Sequence, residues 1–165
     1  MRGTRTGTLA PSVVTFIIEK EHLTPGEMDQ VLNKKSGLLG VSGVSSDDRD
    51  VTTARKEGNA RAKLAQDILE YQVSKFVGGY MVSLGGCDAI VFTAGVGENQ
   101  TAHRAEICKY LEFAGVKLDP QKNEEMTLGK EGEISAPDSK IKVFVIPTNE
   151  ELVIARDTKA LVEAL

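Results

Sequence analysis

Four short segments carry residue types at spacings that could do chemistry. In Thr93-Ala-Gly-Val-Gly-Glu-Asn99, two glycines stand between an apolar run and a helical pattern. Glycine lets backbone N–H groups approach a ligand closely, and a helix amino terminus adds partial positive charge suited to phosphate. Asn99 either caps that helix or hydrogen-bonds a sugar or base. A tight strand-to-helix turn without a ligand explains the same letters. The third glycine of a dinucleotide fingerprint is missing, and no Gly-Lys-Ser/Thr of a P-loop follows. In Ser45-Ser-Asp47-Asp48-Arg49-Asp50, Asp47 can accept from ribose hydroxyls or an adenine amine, and the flat guanidinium of Arg49 can stack on a base. The alternative is a solvated loop whose Ser or Asp caps the next helix.

In Gly3-Thr-Arg5-Thr-Gly7, an arginine between glycines can be aimed at an anion. Arginines that steady a transferring phosphoryl group contribute about 10³–10⁵ in rate; a surface arginine at a frayed terminus is the plainer reading. In Pro147-Thr-Asn149-Glu150-Glu151, an acidic residue could help hold Mg²⁺, which usually takes only one or two protein carboxylates beside phosphate and water. Capping by Thr148 or Asn149, with acids in the first helical turn, accounts for the segment equally well. His22 and His103 have no nucleophile nearby in sequence and are expected at the surface, and Cys108 in the core.

These segments need elements to position them. Pro11 opens a short helix over 11–22 whose Val13, Val14, Phe16, Ile17 and Ile18 are expected to be buried. Thr24, Pro25 and Glu27 spell a capping box for a second helix ending near Ser36-Gly37. Residues 37–50, with three glycines and three serines, lack periodicity and read as a loop. One long helix is expected over 53–84, with Ala65, Ile68, Leu69, Val73, Phe76, Tyr80 and Leu84 on its apolar stripe. Residues 88–93 and 141–146 read as buried parallel strands, the first followed by the glycine turn and a helix to about Phe113. A short helix is expected around 121–128, and a closing helix from Glu150 should turn Leu152, Val153, Ala155, Leu161 and Val162 inward. Strand, turn, helix, repeated, is the order of an α/β domain with ligands beyond the carboxyl ends of its strands.

The chain has 165 residues, enough for about one domain, with 41% hydrophobic and 27% charged residues, as in ordinary globular proteins. Disordered and fibrous classes are excluded. A net charge of −4 offers no basic surface to nucleic acid, and no apolar stretch is long enough to span a bilayer. Cys87 and Cys108 make neither a disulfide framework nor a zinc motif, so a reducing, cytoplasmic setting is expected. The opening MRGTRTGTLAPS lacks the apolar core of a signal peptide and reads as the interior of a longer protein.

Taken together and in order, the segments resemble the acetate kinase family. Gly3-Thr-Arg5-Thr-Gly7 before a Pro-started helix is similar to the family's GTRxG. Ser36-Gly-Leu-Leu-Gly-Val-Ser-Gly-Val-Ser-Ser-Asp47-Asp48-Arg49 resembles its SGLLGVSG…SDxR loop. Phe92-Thr-Ala-Gly-Val-Gly-Glu-Asn99 is similar to its FTxGIGEN turn, and Ile146-Pro-Thr-Asn-Glu-Glu-Leu-Val-Ile-Ala-Arg-Asp157 to its closing segment. The resemblance implies an actin-like, ribonuclease H-like ATPase fold: α/β, a mixed sheet flanked by helices, one of two domains that close on a nucleotide. Residues 1–165 would be the carboxyl-terminal nucleotide-binding domain, without the amino-terminal one. It implies reversible, ATP- and Mg²⁺-dependent phosphorylation of acetate to acetyl phosphate, by a homodimer. A propionate or butyrate kinase, or a non-catalytic dimerisation or nucleotide-binding module, are the alternatives. Carried over by motif, Arg5 would be the catalytic arginine, and Asp47, Asp48 and Arg49 the adenosine-pocket loop. Gly95, Val96, Gly97, Glu98 and Asn99 would form the nucleotide turn, and Glu150 would be the magnesium-associated carboxylate.

Two departures stand out. The family usually reads GTRxGDxDP, and here Thr8 and Ala10 replace both acids. Position 48 commonly holds an apolar or small residue, and here it is Asp48. Holding two reactants in register supplies about 7–11 kcal/mol of barrier lowering, which half a cleft cannot do. The chain alone is therefore expected to bind nucleotide weakly and to turn over negligibly.

Overall fold

A computed structural model describes residues 2–164. It divides into two compact units, Met1–Val77 and Gly78–Leu165.

The first unit is helical: α1 (Pro11–Glu21), α2 (Pro25–Lys34), α3 (Gly37–Ser42), α4 (Asp48–Lys56) and the start of α5 (Ala60–Leu84). Local chemistry sets the first two. Pro11 starts α1, and His22 ends it in a left-handed conformation whose N–H reaches the Ile18 carbonyl. No residue of α1 is buried, contrary to expectation; its apolar residues are half-buried or exposed, Phe16 lying 58% exposed under the Lys20 ammonium. In α2 the expected capping box forms, with Thr24 Oγ1 accepting from Glu27 N and Glu27 Oε2 from Thr24 N.

The expected 37–50 loop is instead helix α3 followed by a turn into α4. Glycine-rich propensity is overridden by burial: Leu38 of α3, Val51 of α4 and Ala62 and Ala65 of α5 form one apolar cluster. The small alanines let these helices approach, and Arg61 Nε ties α5 to α3 through the Val41 carbonyl at 2.8 Å. The expected helix over 53–84 is two helices, separated by a turn at 57–59. Asn59 Oδ1 accepts from the N–H groups of Arg61 and Ala62 and so restarts the helix as α5.

The second unit holds the sheet, which is mixed and ordered β1–β3–β2. Strand β1 (Ala89–Phe92) pairs in parallel with β3 (Lys142–Val145), Ala89 opposite Lys142. Strand β2 (Gly132–Glu133), which no sequence pattern announced, pairs antiparallel with β3. The strands alternate in burial instead of being covered on both faces: Ile90, Phe92, Val143 and Val145 point inward, while Val91 is 48% exposed. Between β1 and β3 run α6 (Ala94–Asn99), α7 (Thr101–Tyr110), a 3₁₀ turn (Glu112–Ala114) and α8 (Pro120–Glu125), and α9 (Glu150–Glu163) closes the chain. Ile107, Cys108 and Leu111 add to the buried set, Cys108 as expected.

Two apolar stripes are open, the one on α9 contrary to expectation. On α5, Phe76, Tyr80 and Leu84 are 61%, 65% and 76% exposed. On α9, no residue is buried, and Leu152, Val153, Leu161 and Val162 are all exposed. Periodicity marks a face that can be covered, and among the described residues nothing covers these two. Among the described residues no helix is long and apolar enough to cross a membrane.

Candidate functional site

In the first unit, the segment bearing Arg5 is laced to α2 and α3 by backbone hydrogen bonds. Thr6 N donates to Leu32 O, Ser36 N to Thr4 O, Leu38 N to Arg2 O and Leu39 N to Gly3 O, at 2.8–3.0 Å. Such lacing excludes a frayed terminus over residues 2–6. Arg5 itself is exposed and lines a cleft of about 1050 Å³, together with Arg2, Thr8, Asn33, Lys75 and Phe76. The lining includes three cations and no acid, so the cleft favours an anion. Thr8 contributes a neutral hydroxyl to the wall at one of the positions where the family pattern has an acid.

Asp47 and Arg49 form a unit of their own at the start of α4. Asp47 Oδ1 accepts from Arg49 N at 2.9 Å, capping the helix. The Arg49 guanidinium folds back on the same carboxylate, Nε reaching Oδ1 at 3.0 Å and Nη2 reaching Oδ2 at 2.5 Å. These bonds hold the Asp47 carboxyl down at about 2 and push the Arg49 guanidinium up. The Arg49 side chain stays 82% exposed, so its flat face is free to stack. Asp48, its neighbour, points the other way. It is buried, and its Oδ1 accepts from Gln66 Nε2, which also donates to Thr52 Oγ1.

In the second unit, the expected glycine turn is a single helical segment, α6, entered through Ala94 at φ +60°. Gly95 and Val96 are exposed, Gly97 and Glu98 half-buried, and Asn99 exposed. The Asn99 side chain is engaged at both ends: Nδ2 donates to Gly95 O within the turn at 3.1 Å, and Oδ1 accepts from Leu128 N, 29 residues on, at 3.1 Å. Because β1 and β3 are parallel, their carboxyl ends deliver α6 and the Pro147–Asn149 turn side by side. Ile146 N donates to Phe92 O at 3.0 Å, and Glu98 Oε1 accepts from Thr148 N at 2.9 Å and Thr148 Oγ1 at 3.2 Å. Asn149 Oδ1 caps α9 through Leu152 N, leaving Glu150 exposed in the first turn.

The described residues contain no cluster of three or more His, Cys, Asp or Glu side chains that could hold a metal. A lone exposed carboxylate such as Glu150 is no all-protein cage, but it fits the single hard-oxygen ligand that Mg²⁺ commonly takes from protein.

Two residues near the turn escaped the sequence reading. His103, expected at the surface, is 4% exposed. Arg104 is completely buried and donates to the carbonyls of Gly97 and Glu98. Both fall at helical spacing with the buried Ile107, Cys108 and Leu111, so the period marked their face, but their polar side chains argue against burial until their partners are seen.

The chain is similar to known proteins along nearly its whole length. A sequence profile of the acetokinase family matches residues 1–156. An acetate kinase from Thermotoga maritima is 56% identical over 164 residues, covering 99% of this chain and 41% of the relative. The crystal structure of acetate kinase from Porphyromonas gingivalis superposes with a TM-score of 0.90 at 49% identity, over 98% of this chain and 40% of that one. A propionate kinase from Francisella tularensis is similar with a TM-score of 0.84 at 40% identity, over 93% of this chain and 38% of that one. The chain thus spans about two fifths of the length of the relatives it matches. With a family match along nearly its whole length and the same fold at high identity, the chain belongs to the acetokinase family.

Proposed function

We propose that this chain is the carboxyl-terminal, nucleotide-binding part of a kinase that transfers phosphoryl reversibly between ATP and acetate. The observation that carries the reading is the meeting of α6 and the Pro147–Asn149 turn beyond the parallel strand ends, joined by Glu98 and Thr148. That edge is where α/β sheets hold ligands. Gly95, Val96, Gly97, Glu98 and Asn99 supply backbone close to the nucleotide there, and Glu150 supplies one oxygen to Mg²⁺. When bound, Mg²⁺ neutralises phosphate charge. Within the first unit, Asp47 fixes the orientation of Arg49, whose exposed face suits stacking on a base, and buried Asp48 supports that loop from beneath. Arg5, in a first-unit cleft that carries cations and no acid, suits the negative charge of a phosphoryl group.

Calorimetric titration of the chain with ATP and Mg²⁺ tests the nucleotide site, with Asn99→Ala as the comparison. Weak binding that Asn99→Ala abolishes is expected; no heat from either protein would remove the nucleotide reading. In a coupled assay the chain alone turns over negligibly, because the residues it offers make up only part of the proposed active site. Normal acetyl phosphate formation would overturn that part of the proposal.

The likeness to a propionate kinase supports a second reading, in which the acceptor is a longer short-chain carboxylate. Comparison of acetate, propionate and butyrate as acceptors for the full-length enzyme decides between them. A homodimer is proposed on the exposed apolar stripe of α5, and light scattering tests it.

A further inference from the structure

Helix α6 is six residues long, and so is α8. Helices this short are unstable alone, because nucleation is costly and most of their carbonyls lack an intrahelical partner. Arg104, in the first half of α7, serves both. Its side chain is fully buried, and a guanidinium has five N–H donors in a rigid planar fork. All five are used. Nη1 donates to Gly97 O at 2.8 Å and Glu98 O at 2.7 Å, closing the open carbonyls at the end of α6. Nη2 donates to Asn123 O at 2.7 Å and Met126 O at 2.8 Å, doing the same for α8. Nε donates to Asn123 Oδ1 at 2.7 Å, and Asn123 in turn donates from Nδ2 to Thr101 O at 3.0 Å.

None of the five acceptors is a carboxylate. A cation buried without a hydrogen-bonded counter-ion carries a large desolvation penalty, and burial accordingly lowers the Arg104 pKa. Lysine could not replace it, since three donors on one nitrogen cannot span two helix ends. The positive charge also suits the negative ends of both helix dipoles.

We propose that Arg104 is a positioning residue for the Gly95–Asn99 turn, its guanidinium capping α6 and α8 together so that the turn is held in its ligand-ready conformation. The consequence for nucleotide affinity rests on the function proposed above; the positioning itself does not.

The test compares the 165-residue chain with Arg104→Lys and Arg104→Met, by hydrogen exchange and by titration with ADP. Exchange over 94–99 should quicken by about tenfold, the loss of roughly one charged hydrogen bond, while the amides of β3 and α1 keep their rates. ADP affinity should fall by a similar factor. Equal acceleration in the turn and in β3 would mean general loosening and would overturn the proposal, as would an unchanged turn. If the wild-type chain shows no ADP binding yet the variants loosen the turn selectively, Arg104 keeps its role and only the nucleotide reading falls. Should neither variant fold, the wild type still decides. Five engaged donors require slowly exchanging Arg104 guanidinium protons in its NMR spectrum, and fast exchange refutes the arrangement.

Discussion

Replacing Gly37 by alanine should loosen the segment that carries Arg5, and the structure sets the size of the effect. Gly37 has φ +65°, and a Cβ built there would lie 2.1 Å from Arg2 O and 3.0 Å from Arg5 O. Contacts below 3.0 Å do not occur at real Cβ atoms, so the Arg2 carbonyl must retreat by about 0.9 Å. That carbonyl accepts from Leu38 N at 2.8 Å, and the neighbouring Gly3 carbonyl from Leu39 N at 3.0 Å. Alanine at positive φ costs about 1–2 kcal/mol. Two strained backbone bonds add about 1 kcal/mol each, for a sum of roughly 3–4 kcal/mol. At about 2–4 °C per kcal/mol for a chain of this length, the melting temperature should drop by roughly 10 °C. Gly43→Ala separates the two causes. Gly43 has φ +69° with open space at its Cβ, so only the backbone cost of about 1–2 kcal/mol applies. Thermal unfolding followed by circular dichroism ranks the two variants, and hydrogen exchange over residues 2–6 localises the damage. Equal melting shifts for Gly37→Ala and Gly43→Ala would refute the claim that the Arg2 carbonyl is what forbids a side chain at position 37.

Two further outcomes are expected. Asp47 is held at about 2 against an ordinary 3.8, chiefly by hydrogen bonds from the Arg49 side chain and backbone N–H, so its contribution is complete above about pH 4. The α4 cap should therefore weaken as the pH falls toward 2, and Asp47→Asn should flatten that part of the acid unfolding curve; an unchanged curve counts against the cap. Burial pushes the Cys108 thiol up to about 12, whereas Cys87 is half-buried and reachable. Ellman's reagent at pH 8 should titrate one thiol quickly in the folded chain and the second only on unfolding, and two fast thiols would show that Cys108 is not sealed.

Much of the local structure is legible because its causes lie within four residues. The Thr24–Glu27 box, the prolines that open α1 and α2, and the apolar runs of β1 and β3 all read directly from neighbouring letters. The motifs around Arg5, Asp47, Gly95 and Glu150 are legible for the same reason: each is a contiguous string. Where the reading departs from the structure, the deciding partner is remote. Helix α3 looks like a loop until the Arg61 guanidinium, 20 residues on, reaches the Val41 carbonyl. The apolar stripes of α5 and α9 promise burial, but periodicity names a face without naming what covers it.

Composition and pattern by themselves determined an α/β chain with capped helices, two apolar strands and four strings of acetokinase type. The tertiary structure decided what those strings do to one another. It laced Arg5 to α3, turned Asp48 inward while leaving Arg49 out, and brought Glu98 to Thr148 across 50 residues. It also buried Arg104 against Asn123, 19 residues away, so that one guanidinium completes two helices too short to stand alone. Propensity and capping act over a turn or two and leave their mark in adjacent letters. Buried hydrogen bonds depend on which distant groups are withdrawn from water together, and only the folded chain settles that.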